Sequence, residues 1–85
     1  MSFSSFYSKM EEYIQQGFEA WSEDDDVITL GKVIYCDGHS CELQDWVEVI
    51  IDKSTGQVTT RYDTNRSIPG WELDEETGEW RKISP

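Results

Sequence analysis

The sequence predicts an α+β domain, with one N-terminal amphipathic helix packed on a four- to five-stranded antiparallel β-meander. Three observations predict it. Apolar side chains recur at intervals of three and four from residue 3 to residue 22, β-branched runs dominate from residue 27 onward, and Gly-containing turn signals punctuate those runs. With 85 residues the chain makes one domain, residues 1–85, whose thin core leaves a small margin of stability.

The helix comes first. Phe3, Phe6, Tyr7, Met10, Tyr13, Ile14, Phe18 and Trp21 form one stripe, while Glu11, Glu12, Gln15, Gln16 and Glu19 fall on the solvated side. Ser2, Ser4 or Ser5 supplies an N-cap. Gly17 costs about 1 kcal/mol inside a helix and marks either a close packing contact or an early end. The run Ser22-Glu23-Asp24-Asp25-Asp26 stops the helix, because carboxylates at a C-terminus oppose the macrodipole.

Strands are expected over about 27–36, 45–52, 57–63, 70–74 and 79–83. Asp37-Gly38 closes the first. Asp-x-x-Thr-Gly occurs twice, as Asp52-Lys53-Ser54-Thr55-Gly56 and Asp74-Glu75-Glu76-Thr77-Gly78, each with a Gly for the left-handed position of a bulged hairpin. These read as two hairpins of one sheet, joined by a linker over 63–70 in which Pro69-Gly70 bars a continuous strand. Trp21 and Trp46 read as core. Trp71 and Trp80 flank the last hairpin, as a cross-strand pair closing the sheet edge or as contact aromatics.

Charge narrows the function. The chain carries 18 Asp and Glu against 7 Lys and Arg, for a net charge of −11. Direct phosphate-backbone binding is excluded, since it needs clustered cations. Anionic membranes repel such a surface, and no apolar run approaches a membrane span. No secretory signal is visible at the N-terminus, so the expected compartment is the cytoplasm and the Asn65-Arg66-Ser67 sequon is a chance match.

Catalytic chemistry finds little support. The sequence has no Gly-rich phosphate loop, no Gly-x-Ser-x-Gly turn and no His-Glu-x-x-His, and no cofactor is expected. Among 18 carboxylates some pair always lies close, so proximity carries no information. Asp63-Thr64-Asn65-Arg66-Ser67 begins like a calcium loop, but Ile68 stands where its Gly belongs and Asp74 where its bidentate Glu belongs. Cys36-Asp37-Gly38-His39-Ser40-Cys41 holds both cysteines and the single histidine. Three readings stay open: two small buried hydrophobes beside a turn, which ranks first, a disulfide across the loop, or Cys36, His39 and Cys41 as weak candidate Zn²⁺ ligands.

The excess charge itself is then the main clue. Self-repulsion costs stability in a small domain, so the alternatives are solubility alone or a partner with a basic surface. Size, acidity and the mixed helix-and-sheet pattern resemble the DNA-mimic proteins, including some phage-borne anti-CRISPR and anti-restriction inhibitors; the likeness is one of composition over the whole chain and carries over no functional residue. The second Asp-x-x-Thr-Gly hairpin is similar, over about ten residues, to the end of PepSY-type domains.

The expected function is a non-catalytic acidic protein-binding domain, with inhibition of a basic, nucleic-acid-binding partner as its sharpest form. The expected contact residues are Glu11, Glu12, Glu19, Glu23, Asp24, Asp25 and Asp26 in one cluster, and Glu72, Asp74, Glu75, Glu76 and Glu79 with Trp71 and Trp80 in the other. The contrasting classes are a metal- or redox-responsive module centred on Cys36, His39 and Cys41, and a structural subunit of a larger complex.

Overall fold

The computed structural model describes residues 3–38 and 40–83, with side chains from Phe6 onward. Helix α1 spans Phe3–Gln15 and is followed by β1 (Glu19–Glu23), β2 (Val27–Cys36), β3 (Gln44–Asp52), β4 (Val58–Thr64), β5 (Trp71–Leu73) and β6 (Trp80–Lys82). Strands β1 to β4 form one antiparallel sheet in chain order, and β5 with β6 forms a separate two-stranded ribbon. The fold is α+β, one helix on an antiparallel meander, as the sequence pattern requires.

Strand β3 fixes the two faces of the sheet. Its alternation buries Asp45, Val47, Val49 and Ile51 on the inner face and sends Trp46, Glu48 and Ile50 to the other. Register carries this across the sheet: Ile28 and Leu30 of β2 stand opposite Ile51 and Val49, and Val58 of β4 opposite Ile51. Helix α1 covers that half of the inner face. Phe6 joins Ile28, Leu30, Val49 and Ile51 in the buried cluster, with Met10, Tyr13, Phe18 and Val58 packed around it. Each fully buried aliphatic or aromatic side chain contributes about 1.5–3 kcal/mol.

The helix is shorter than its apolar stripe. It ends at Gln15, where Gly17 takes φ 99°, Gly17 N–H donates to Ile14 C=O at 3.0 Å, and Phe18 N–H donates to Tyr13 C=O at 3.1 Å. That pair of bonds is a Schellman cap, and the ring of Phe18 meets that of Tyr13 edge-on at 5.2 Å as its hydrophobic closure. Lys32 Nζ donates to Gln16 C=O at 2.8 Å, which places a cation on the free carbonyls of the helix end.

Residues 19–23, read from the sequence as helix and stop signal, instead form edge strand β1. Trp21 is therefore not a helical core residue. It lies at the bulge where the β1–β2 register shifts between Ala20 and Ser22, on the face away from α1, and is 40 % exposed. Trp46 likewise leaves the core, because strand parity turns it to the same outer face, where it is half-buried. The last hairpin is also not part of the main sheet. Gly70 at φ 82° turns the chain after Pro69, and the ribbon folds back beneath the sheet.

Trp21 rests on Gly31. A Cβ at Gly31 would overlap three atoms of the indole ring, so Gly31→Ala forces Trp21 off the sheet. Alanine normally improves a strand glycine; here the loss of the indole's covered area makes the substitution destabilising by about 1–2 kcal/mol. Urea unfolding combined with a red shift of tryptophan emission checks this.

Candidate functional site

Among the described residues one carboxylate is buried. Asp45 is 5 % exposed and stands on the inner face between Tyr35 of β2 and Thr64 of β4. A bulge between Val33 and Tyr35 makes this possible, since it shifts the register so that Tyr35, not Ile34, shares the face of Asp45. Arg66 grips the carboxylate with two donors, Nε to Oδ1 at 2.9 Å and Nη2 to Oδ2 at 2.6 Å. Thr64 Oγ1 donates to Oδ1 at 2.5 Å and the Trp80 indole N–H to Oδ2 at 3.1 Å. The guanidinium of Arg66 lies 3.9 Å from the centre of the Tyr35 ring and 5.0 Å from that of Trp80.

This cluster binds the inner face together where the helix does not reach. All four bonds to Asp45 come from residues 64–80, so one side chain of β3 anchors the linker and the ribbon. Two further contacts seat the ribbon on β4. Tyr62 N–H donates to Glu75 C=O at 2.9 Å, and Gly78 lies against the Tyr62 ring. The first of these also occupies the free edge of the sheet.

Burial pushes the Asp45 carboxyl upward, but the bonds from Arg66, Thr64 and Trp80 outweigh it and hold the group below the ordinary aspartate range. Its folded value is thus below its unfolded value, so its stabilisation is complete above about pH 4 and disappears as pH falls through the folded value. Asp24, Asp52 and Asp74 shift the same way: Asp24 through the Val27 and Asp26 N–H groups, Asp52 through Ser54, and Asp74 through the Glu76 N–H with Arg81 nearby. We therefore expect a melting temperature that drops on acidification below about pH 4, with a carboxyl NMR titration placing the Asp45 midpoint below that of an ordinary aspartate.

The two Asp-x-x-Thr-Gly segments adopt the same turn. Asp52 Oδ1 accepts from Ser54 N–H at 2.8 Å and Asp74 Oδ1 from Glu76 N–H at 2.8 Å. Gly56 and Gly78 each donate to their Asp C=O at 2.8 Å, with φ 77° and 78°. Thr55 and Thr77 hydroxyls accept from Gln57 and Glu79 N–H. The repeated sequence is thus a repeated turn, in two different sheets.

The predicted contact carboxylates divide by what they hold. Glu23 bridges Lys53 at 2.5 Å, Asp24 Oδ1 accepts from Asp26 and Val27 N–H, Asp74 pairs with Arg81, and Glu75 stands 3.8 Å from Arg61. Glu11, Glu12, Glu19, Asp25, Asp26, Glu72, Glu76 and Glu79 are exposed and, among the described residues, form no salt bridge. Glu11 and Glu12 line a shallow depression on α1 with Ser8 and Gln15. Glu19 and Glu23 to Asp26 lie on or beside β1 at one end of the sheet order and the ribbon cluster beside β4 at the other, while α1, with Glu11 and Glu12, packs on the central strands. Trp71 is 43 % exposed, whereas Trp80 is half-buried with its N–H engaged by Asp45.

Cys36 and Cys41 form a disulfide, with Cα atoms 4.9 Å apart. They are therefore not two separate small hydrophobes, because the loop returns Cys41 alongside the end of β2. Asp37 Oδ1 accepts from Cys41 N–H at 2.9 Å, and the ligand atoms of Cys36, Asp37 and Cys41 lie within 4.8 Å of one another. In the disulfide neither sulfur is a thiolate, the form that binds Zn²⁺. His39, the third candidate ligand, lies outside the described residues. Asn65, the sequon residue, is part of the scaffold: its carboxamide accepts from Gln44 N–H at 2.7 Å and donates to Glu42 C=O at 2.8 Å.

Asp45, Arg66, Thr64 and Tyr35 are the residues that sequence reasoning misses. The signal was present in parity, since Asp45 occupies the inward series of Val47, Val49 and Ile51. An ionisable residue in an inward position requires a buried partner. Comparison with family models, with curated proteins and with solved structures found no match to this chain.

Proposed function

We propose that the protein is a non-catalytic acidic domain that binds a basic protein surface, in its sharpest form as an inhibitor occupying the nucleic-acid site of its partner. The observation that carries this reading is the use of the cations. Lys32, Lys53, Arg61, Arg66 and Arg81, five of the seven, are bound within the molecule, and Glu11, Glu12, Glu19, Asp25, Asp26, Glu72, Glu76 and Glu79 are left without a salt bridge among the described residues. The body measures 49 × 30 × 20 Å, so the net charge of −11 amounts to about one charge per 4.5 Å of its long axis, against about 1.7 Å in duplex DNA and 3.4 Å along one strand. That density approaches a single strand's.

The domain has no described helix long and apolar enough to cross a membrane. We place it in the cytoplasm with such a partner, where the reducing thiol pool opposes the Cys36–Cys41 bond. That bond favours a second reading, a redox-responsive module at the 36–41 loop, whose binding would respond to reductant and ignore salt.

A tagged pull-down from host lysate at low and then high salt separates them. The first reading expects a nucleic-acid-binding protein that elutes as salt rises and competes with DNA or RNA. Neutralising carboxylates that hold no structure, Asp25→Asn, Asp26→Asn, Glu76→Gln and Glu79→Gln together, is expected to weaken that binding at least about tenfold at low salt while leaving the melting temperature unchanged. Retention at high salt, or release only by reductant, favours the second.

A further inference from the structure

Helix α1 and the ribbon both cover the inner face of the sheet, and no described element packs on the outer one. That bare face is neither polar nor uniformly charged. Strand parity gathers on it Trp21, Val33, Trp46 and Ile50, with Trp21 40 % and Val33 42 % exposed. The indole of Trp21 lies over Gly31, which has no side chain to lift it, so the ring is held against the sheet as a platform. Glu19 pairs with Gly31 from one side and Glu48 from the other, so the two residues stand on either side of Gly31 in a single cross-strand row, their backbones about 10 Å apart. Arg61 follows Glu48 in that row and the two charges attract each other, while Asp63 binds Arg61 at 2.7 Å and Glu75 lies 3.8 Å away.

We infer that this outer face, centred on Trp21 with Glu19 and Glu48, is the docking surface for an arginine-bearing segment of a protein partner. The inference rests on the proposed acidic binding function and gives it a place distinct from the loop and ribbon clusters. Charge complementarity selects the occupant. A second copy would bring two bodies of −11 together with Glu19 and Glu48 in the contact, whereas a guanidinium matches both carboxylates and stacks on the indole. The inner face already contains that arrangement, with Arg66 bound to Asp45 and stacked on Tyr35 and Trp80. On the outer face Arg61 stands beside Glu48 but is held by Asp63, so an arginine stacked on the Trp21 platform is left for a partner to supply.

The test is an amide and indole NMR titration of the whole chain with a capped oligo-arginine peptide at low ionic strength. The Trp21 indole and the amides of 19–22, 29–33 and 46–50 are expected to shift, while the Trp80 indole stays in place as a report on the fold. Trp21→Leu is expected to weaken binding about fivefold, and Glu19→Gln with Glu48→Gln about tenfold. Binding that shifts only residues 23–26 or 72–79 overturns this surface and leaves the acidic binding function standing. Absence of binding at low ionic strength overturns both. Shifts at Trp21 that grow with protein concentration alone, with a rise in sedimenting mass, make a second copy the occupant and overturn the choice of partner.

Discussion

Asp45→Ala is expected to destabilise the domain by about 3–5 kcal/mol, the usual cost of leaving the other member of a buried ion pair uncompensated. The side chain of Arg66 is only 18 % exposed, so its guanidinium cannot recover its hydration without leaving the rings of Tyr35 and Trp80. Thr64 and the Trp80 indole lose their acceptor at the same moment. A domain of this length has a total stability of about 4–13 kcal/mol, so the loss is a large share of it. The ribbon should detach before the helix end melts, because Phe6 and its neighbours form a separate buried cluster. Urea unfolding followed at the Trp80 indole resonance and by far-ultraviolet circular dichroism checks both statements. Loss of less than about 1 kcal/mol with an unmoved Trp80 resonance would contradict the anchoring role.

Gly78→Ala is expected to cost about 2–4 kcal/mol, from two sources. Its φ of 78° charges any other residue about 1–2 kcal/mol, and its new Cβ would stand 2.6 Å from the Tyr62 ring. Tyr62 is half-buried on the inner face beneath the ribbon, so the ring has little freedom to yield. Gly70→Ala provides the reference. Its φ is 82° but nothing lies within 4 Å of the added atom, so its cost is the backbone contribution alone. The difference between the two variants in urea midpoint measures how firmly the ribbon is seated on β4. Equal costs would mean that the ribbon moves freely over Tyr62.

Much of the fold was legible in the sequence because local chemistry and tertiary packing agree there. The runs that became β2, β3 and β4 are rich in β-branched residues, and both Asp-x-x-Thr-Gly turns carry their own Asp, Thr and Gly bonds. The helix end was misread because Phe18 and Trp21 continue the spacing of Tyr13 and Ile14. Phe18 does pack on Tyr13, but from beyond the cap, and Trp21 belongs to another strand and another face. Periodicity reports spacing, not continuity of the element. Gly17 was the competing signal, and it prevailed by closing the Schellman cap. The ribbon could not be placed from sequence at all, since its position depends on Asp45 reaching Arg66 and Trp80 across 21 and 35 residues of chain. Sequence also treated the acidic residues as one class, whereas Asp24 and Asp74 close turns and the carboxylates of Glu76 and Glu79 form no salt bridge among the described residues.

The reading as an acidic binding domain is tested most directly by the salt dependence of affinity for the captured partner. Titrations of the wild-type chain and of the Asp25→Asn, Asp26→Asn, Glu76→Gln, Glu79→Gln variant, over a range of ionic strength, supply it. An electrostatic complex predicts affinity that falls steeply as salt rises, a shallower slope for the variant, and convergence of the two at high salt where the exposed charges are screened. Affinity that is flat in salt and identical for both chains would contradict the reading and assign binding to apolar contacts alone.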